Sequence, residues 1–96
     1  MKLYSDENEG YVLRYRMCRL RHGIRLRELG EAAKLTAQAV SKIELGNCTP
    51  TERTRTKLLA AMETVIRQRF GAQSQEMEVF YKEKESLFDK TTEKEG

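Results

Sequence analysis

The stretch LTAQAVSKIELGN, residues 35–47, carries the signals of one short helix with a defined start and a defined end. Thr36 is a favourable N-cap, because its hydroxyl can accept a hydrogen bond from a backbone N–H of the first turn. Val40 and Ile43 have the helical spacing of residues that face a core, and the Gly-Asn pair at the end favours termination. The pattern predicts a helix at 37–45.

A second short helix is predicted immediately before this one. From about Leu26 to Ala33, apolar and small residues that include Leu29 and Gly30 fall on one face. A brief turn at 34–35 separates this helix from the next one. Two short helices joined by such a turn, with small residues where they cross, form the helix-turn-helix pattern. This pair of helices is therefore the candidate functional region of the chain.

The rest of the chain is also predicted to be helical. Apolar residues recur at helical spacing at about 9–22, 51–70 and 73–90. No β-strand signal is longer than a few residues, so we expect an all-α fold of four to five helices with an extended C-terminal helix. The expected division is a flexible N-terminus at 1–8, a helix-turn-helix domain at 9–70, a C-terminal helix for packing or dimerisation at 71–90, and a disordered tail at 91–96.

Charge is distributed unevenly along the chain. The 96 residues have a net charge of +3, but residues 13–57 hold 11 Lys and Arg against 4 Asp and Glu. Residues 72–96 hold 4 Lys and Arg against 7 Asp and Glu. The basic block coincides with the two short helices and predicts a polyanionic partner, which favours nucleic acid.

Several other classes of protein are not favoured. No apolar run approaches the roughly 18 residues that a bilayer span needs, and no signal peptide is visible, so a cytoplasmic protein is expected. Cys18, Cys48 and His22 lack the short spacing of zinc ligands, and no metal or cofactor is expected. Cys18 is interpreted as a core residue, Cys48 as a loop residue and His22 as a solvated residue at a helix end. No enzyme is expected, because no catalytic set or Gly-rich phosphate loop is present.

The segment GIRLRELGEAAKLTAQAVSKIELGNCTP, residues 23–50, resembles the phage repressor and Cro-like helix-turn-helix proteins. The resemblance implies a lambda-repressor-like DNA-binding domain, and it extends more loosely over residues 11–62. The matching motifs are Gly-Ile at 23–24, Glu-Leu-Gly at 28–30, Thr36, Val-Ser-Lys-Ile-Glu-Leu-Gly at 40–46 and Pro50.

The chain departs from the family pattern at the start of the second helix and at the turn. Arg25 stands where the family usually has a Ser or Thr cap, and Leu26 stands where it often has a Gln that contacts phosphate. Arg25 and Arg27 are the expected replacements for that contact. Lys34 holds the turn position usually occupied by Gly, where a positive φ would carry a conformational penalty. The fourth helix also runs further than the family norm, to about Phe70.

The resemblance implies that the helix at 37–45 lies in the major groove of DNA. Gln38 is the expected reader of adenine, because its amide donates and accepts at once, and Lys42 could donate to guanine or to phosphate. Ala37 and Ala39 offer methyl groups to thymine, so DNA shape and phosphate contacts are expected to supply more of the specificity. The residues expected to contact phosphate are Arg25, Arg27, Thr36, Asn47, Thr49, Arg53 and Arg55.

The resemblance also implies a buried ion pair between Arg19 and Glu44. Such a pair would be structural, since it would determine how the first helix sits on the third. Breaking one partner of a buried pair typically costs about 3–5 kcal/mol.

The C-terminal helix has two interpretations. Its apolar residues could pack back onto the fourth helix, or they could face a second chain. A single helix-turn-helix unit contacts only a short half-site, which favours a homodimer. A different protein partner at this helix is a further alternative. The residues expected at the dimer interface are Met77, Phe80, Tyr81, Leu87 and Phe88.

We therefore expect a sequence-specific double-stranded DNA-binding transcriptional regulator, a repressor that binds a palindromic operator as a homodimer. The alternative is a helix-turn-helix adaptor or antitoxin-type module that binds a protein partner. Salt dependence separates the two, because each phosphate contact releases counterions from DNA. The sequence does not identify the operator or the regulated genes.

Overall fold

The computed structural model describes residues 11–92, and most of them lie in helices. The expectation of a small, mainly helical domain is confirmed. The predictions for residues 1–10 and 93–96 lie outside the described residues. The elements are β1 (Tyr11–Leu13), α1 (Arg14–Arg21), α2 (Leu26–Ala33), α3 (Ala37–Glu44), α4 (Glu52–Phe70), α5 (Gln75–Glu83), a short 3-10 helix (Lys84–Ser86) and β2 (Lys90–Thr92).

Three of the helices begin directly after a hydroxyl residue. Oγ1 of Thr36, which precedes α3, accepts a hydrogen bond at 3.0 Å from the backbone N–H three residues later. Thr51 before α4 and Ser74 before α5 make the same bond, each at 3.1 Å. Each cap satisfies a donor that would otherwise have no partner within its helix, and a cap of this kind contributes about 1 kcal/mol.

Three helix ends share one backbone arrangement. The residue with positive φ is Gly23 after α1 (67°), Lys34 after α2 (62°) and Gly46 after α3 (79°). At each end, the N–H of the following residue donates to a carbonyl five residues earlier, at 3.0, 2.7 and 2.9 Å respectively. This is the Schellman motif, which glycine adopts freely. At Lys34 the same conformation costs about 1–2 kcal/mol, so the turn does carry the penalty considered from the sequence.

The helices α2, α3 and α4 pack around one core. Leu29 comes from α2, Val40 and Ile43 come from α3, and Leu58 and Met62 come from α4. Each of these side chains is at most 5% exposed. The apolar faces predicted for the two short helices are therefore buried against the long fourth helix.

Gly30 allows α2 to approach the turn that leads into α3. A Cβ at this position would lie 2.6 Å from the carbonyl oxygen of Leu35, which is closer than real Cβ atoms come to backbone. Because the obstacle is backbone, a larger side chain would have to displace the turn. The small residue predicted where the helices cross is thus required by the close approach.

The two ends of the described chain pair in a short antiparallel sheet. β1 pairs with β2, and Tyr11 lies opposite Thr92. Residue 11 was predicted to lie in a helix at 9–22 and residue 92 in a disordered tail, and both predictions are wrong at these strands. Each strand has three residues, which is too few to show an alternating pattern, and each forms through its partner.

The C-terminal segment also supplies the N-terminal cap of α1, which has no side-chain cap of its own. The backbone N–H groups of Arg14 and Tyr15 donate to the carbonyl oxygens of Asp89 at 2.8 Å and Leu87 at 2.7 Å. These are donors of the first helical turn, which have no partner within the helix. The start of α1 therefore depends on residues more than 70 positions later in the chain, as the Arg14–Asp89 bond shows.

The segment after α4 differs from the single helix predicted to end near residue 90. α5 ends at Glu83, and the chain then turns back toward α1. Met77, Phe80 and Leu87 are at most 1% exposed and belong to the core of their own chain. Their assignment to a dimer interface is therefore wrong, because these side chains are not available to a second chain.

The two remaining residues of the predicted interface also contact their own chain. Tyr81 is 46% exposed, and its hydroxyl donates to Oε2 of Glu63 at 2.7 Å. Phe88 is partly buried and stacks on Tyr15 with ring centroids 5.6 Å apart. The Tyr15 hydroxyl donates in turn to the carbonyl oxygen of Leu58 at 2.7 Å. Tyr81 is thus the one member of the predicted set that is mainly on the surface.

Candidate nucleic-acid interface

The outward face of α3 presents two long polar side chains. Gln38 and Lys42 are exposed and lie four residues apart, so they share one side of the helix. Val40 and Ile43 anchor the opposite side in the core. The cap at one end of α3 and the Schellman motif at the other provide partners for backbone groups at the helix ends. The helix that carries these two side chains therefore has a well-defined start and end.

The residues on either side of Gln38 are alanines, so Gln38 is flanked by short side chains at the start of α3. Ala37 and Ala39 are partly buried and carry no polar group. Gln38 is the group on this turn that can donate and accept at once, as an adenine edge requires. Lys42 is a donor only, which suits guanine or phosphate. The face therefore has the chemistry to read two adjacent positions and to tolerate thymine methyl groups.

The residues predicted to contact phosphate surround α3 in sequence, and the structure exposes them. Arg25 and Arg27 lie at the start of α2, Asn47 and Thr49 in the loop after α3, and Arg53 in the first turn of α4. Within residues 11–92, Arg27 and Arg53 have no ion pair or hydrogen bond from their side chains.

Two of the predicted phosphate contacts already have partners within the chain. The Thr36 hydroxyl oxygen accepts a hydrogen bond from Ala39 N, which leaves the hydroxyl proton available to donate. The Arg55 guanidinium lies 5.3 Å from the centroid of the Phe88 ring. Arg55 is therefore held against the C-terminal segment, which sequence reasoning did not anticipate.

Acidic residues near this surface decide how positive it is. Glu31 on α2 and Glu52 at the start of α4 are exposed. Glu28 is engaged instead: its Oε1 accepts a hydrogen bond from Arg25 N at 2.9 Å, and both its oxygens accept from Nη2 of Arg69 at 2.5 Å. The bond from Arg25 N and, second, the bond from Arg69 lower the pKa of Glu28, so its carboxylate is ionised at neutral pH.

The predicted pair of Arg19 and Glu44 is present and buried. Arg19 Nε donates to Glu44 Oε2 at 2.8 Å, and Nη2 donates to Oε1 at 3.0 Å. Nη1 donates to the carbonyl oxygen of Ile24 at 2.9 Å. Arg16 approaches the same carboxylate at 3.6 Å. Burial raises the pKa of Glu44, and the hydrogen bond and charge of Arg19 followed by the charge of Arg16 oppose that shift.

This buried pair connects three elements around α3. Arg19 belongs to α1, Glu44 ends α3, and Ile24 lies in the turn before α2. The exchange of two hydrogen bonds in one plane restricts the orientation of both side chains. The pair therefore determines how α3 is seated on α1, although neither group faces solvent.

Sequence reasoning missed Arg69, which links the end of α4 to the start of α2. Its Nη1 donates to the carbonyl oxygen of Gly23 at 2.9 Å while Nη2 binds Glu28. Arg69 and Glu28 are 41 residues apart in sequence, and no spacing rule connects residues at that distance. The predicted extension of the fourth helix to about residue 70 was the available signal, because it brings Arg69 to this position.

The remaining groups to consider are the potential metal ligands and nucleophiles of residues 11–92. Within residues 11–92 no group of three or more His, Cys, Asp or Glu side chains is placed to hold a metal ion. Burial raises the pKa of the Cys18 thiol to about 12, and Cys48 is exposed. His22 is not solvated as predicted: it is 8% exposed, and its Nδ1 lies 2.8 Å from the Cys18 carbonyl oxygen.

No family model, characterised protein or solved structure matches this chain. Among the described helices, none is long and apolar enough to cross a membrane. The candidate interface consists of the exposed face of α3 and the basic residues around it.

Proposed function

We propose that the chain is a sequence-specific double-stranded DNA-binding transcriptional regulator with a lambda-repressor-like helix-turn-helix domain. In this proposal α3 enters the major groove. The observation that carries it is the outward face of α3, where Gln38 and Lys42 are exposed side by side on a helix whose other face is in the core. An amide and an ammonium at this spacing match the acceptors and donors of adjacent base pairs.

The surroundings of α3 support the same proposal. Exposed basic residues lie before it at Arg25 and Arg27 and after it at Arg53. A protein that binds DNA needs such groups on both sides of its reading helix, because phosphate contacts determine orientation and base contacts determine sequence. The buried carboxylate of Glu44 is paired with Arg19, so it adds no free negative charge next to α3.

The proposal includes a homodimer that represses by occupying a palindromic operator. One unit with two base-reading side chains contacts only a short half-site, and two units give the affinity that an operator requires. The apolar face of α5 is buried in its own chain, so the contact between copies must use other residues. Among residues 11–92, the large apolar side chains exposed on the surface are Tyr11, Leu20, Phe70 and Tyr81.

The test is the selection of DNA duplexes from a random pool by the full chain, followed by binding measurements over a range of salt concentrations. We expect a palindromic sequence with half-sites about 10 base pairs apart, and an affinity that falls steeply with salt. Gln38→Ala/Lys42→Ala should abolish selection of that sequence. Lys82→Ala on α5 removes a charge from an exposed position outside the proposed interface, and it should leave selection unchanged.

The same experiment has a result that would overturn the proposal. If no duplex is enriched and no salt-dependent binding is seen, the function is not DNA binding. Recovery of one protein partner, lost in the Gln38→Ala/Lys42→Ala variant, would then favour the adaptor alternative.

A further inference from the structure

Arg69 holds the start of α2 from the far end of α4. Its Nη1 donates to the Gly23 carbonyl oxygen at 2.9 Å, and its Nη2 donates to both oxygens of Glu28 at 2.5 Å. Glu28 in turn accepts the backbone N–H of Arg25 at 2.9 Å. One guanidinium therefore binds both the turn before α2 and the first turn of that helix.

This network lies where phosphate contacts are proposed. Arg25 and Arg27 are exposed in the same first turn as Glu28. An ionised carboxylate there stabilises the helix through the helix dipole, but it also repels a phosphate group that approaches the same turn. Arg69 carries the opposite charge and is in direct contact with that carboxylate.

We propose that Arg69 is a positioning residue for the DNA contact made by α2. It neutralises Glu28 and holds the turn at Gly23, so that Arg25 and Arg27 face phosphate without an uncompensated acid between them. This inference rests on the proposed DNA-binding function. It assigns to the extended end of α4 a role in binding that its distance in sequence from α3 does not suggest.

Arg67 provides a matched control on the same helix. Arg67 Nη2 lies 2.6 Å from Glu63 Oε2, so it is also paired with a single acidic residue and is also exposed. Arg67→Gln and Arg69→Gln change the net charge of the chain equally. They differ in which acid loses its guanidinium partner: Glu63 lies on α4 and keeps the hydrogen bond from Tyr81, whereas Glu28 lies on α2 beside Arg25.

The test measures binding of a labelled mixed-sequence DNA duplex at low salt by fluorescence anisotropy. We expect Arg69→Gln to weaken binding about three- to fivefold and Arg67→Gln to change it by less than about twofold. Arg69→Lys, which keeps the charge, should bind nearly as the unmodified chain does. The double variant Glu28→Gln/Arg69→Gln removes both charges and should recover most of the lost affinity. Added salt should reduce the difference between Arg69→Gln and the unmodified chain.

Melting curves recorded for the same proteins separate this role from a structural one. A loss of stability alone would lower the melting temperature of Arg69→Gln without recovery of affinity in the double variant. Equal effects of Arg67→Gln and Arg69→Gln, or a double variant as weak as Arg69→Gln, would overturn the inference. If the unmodified chain binds no duplex, the proposed function fails and the role of Arg69 falls with it. If the unmodified chain binds and Arg69→Gln binds equally well, only the role of Arg69 is refuted.

Discussion

The helices α3 and α5 have similar sequence patterns but different surroundings in the fold. Both are short, and both begin after a hydroxyl residue that caps the first turn. α3 buries Val40 and Ile43 and leaves Gln38 and Lys42 exposed. α5 buries Met77 and Phe80 against the same domain, and the chain after it returns to cap α1.

The difference shows what an amphipathic pattern does and does not determine. In both helices the apolar residues are buried, as their spacing predicts. The pattern does not identify the surface that covers these residues. For α5, the covering surface could therefore belong to the same chain or to a second chain. The tertiary structure decides the matter, because α5 packs against α4 and Met77 and Phe80 lie in the core of the same chain. Under the proposed function, the polar face of α3 contacts the partner, whereas α5 supports the fold.

The largest expected effect comes from Phe80→Ala, which tests whether α5 is part of the core. The ring is fully buried, so its removal should lower the free energy of unfolding by about 3–5 kcal/mol in a chemical denaturation experiment. Tyr81→Ala is the control on the same helix. Its ring is exposed, and its hydroxyl donates to Glu63 and accepts a longer hydrogen bond from Arg67, so a loss of about 1 kcal/mol is expected. An unchanged stability for Phe80→Ala, combined with a shift in sedimentation from dimer to monomer, would mean that α5 faces a second chain after all.

Glu44→Gln tests how α3 is seated. The substitution leaves the buried guanidinium of Arg19 without its counter-charge, and we expect a loss of about 3 kcal/mol, measured by the same denaturation experiment. Glu31→Gln makes the same chemical change at an exposed position on α2, where the effect should be below about 0.5 kcal/mol. Equal melting temperatures for the two variants would show that the pair does not hold α3 in place.

Gln38→Ala tests the exposed face of α3, and its effect should appear in binding and not in stability. We expect a loss of about 1–3 kcal/mol in discrimination at one base pair of the selected operator, with an unchanged melting temperature. Gln68→Ala removes an equivalent exposed amide from α4 and should bind as the unmodified chain does. If operator affinity survives Gln38→Ala, direct reading by α3 rests on Lys42 alone.

The smallest effect is expected from Lys34→Gly, which concerns the junction between α2 and α3. Lys34 has a φ of 62°, so glycine should relieve strain and raise the free energy of unfolding by up to about 1 kcal/mol. A rise of a few degrees in the melting temperature would report this gain. Lys34→Ala removes the charge but keeps the Cβ, and it should give no gain. A gain of equal size from Lys34→Ala would trace the effect to charge and not to backbone strain.

The candidate interface could be predicted largely from sequence because its signals are local. The N-cap at Thr36, the spacing of Val40 and Ile43 and the Gly46 stop lie within about three turns, and α3 has the predicted start. The exposure of Gln38 and Lys42 then follows from helical geometry. The function of that face remains a proposal.

Caps, glycine stops and periodicity act over a few residues, so the sequence alone predicts the helices and their buried apolar faces. The tertiary structure alone decided that α5 packs on its own chain, that β2 pairs with β1, and that Arg69 holds Glu28. The physical reason is the range of the interactions. Residues far apart in sequence meet only after the helices have packed, and a three-residue strand or a single ion pair leaves no periodic trace in the chain.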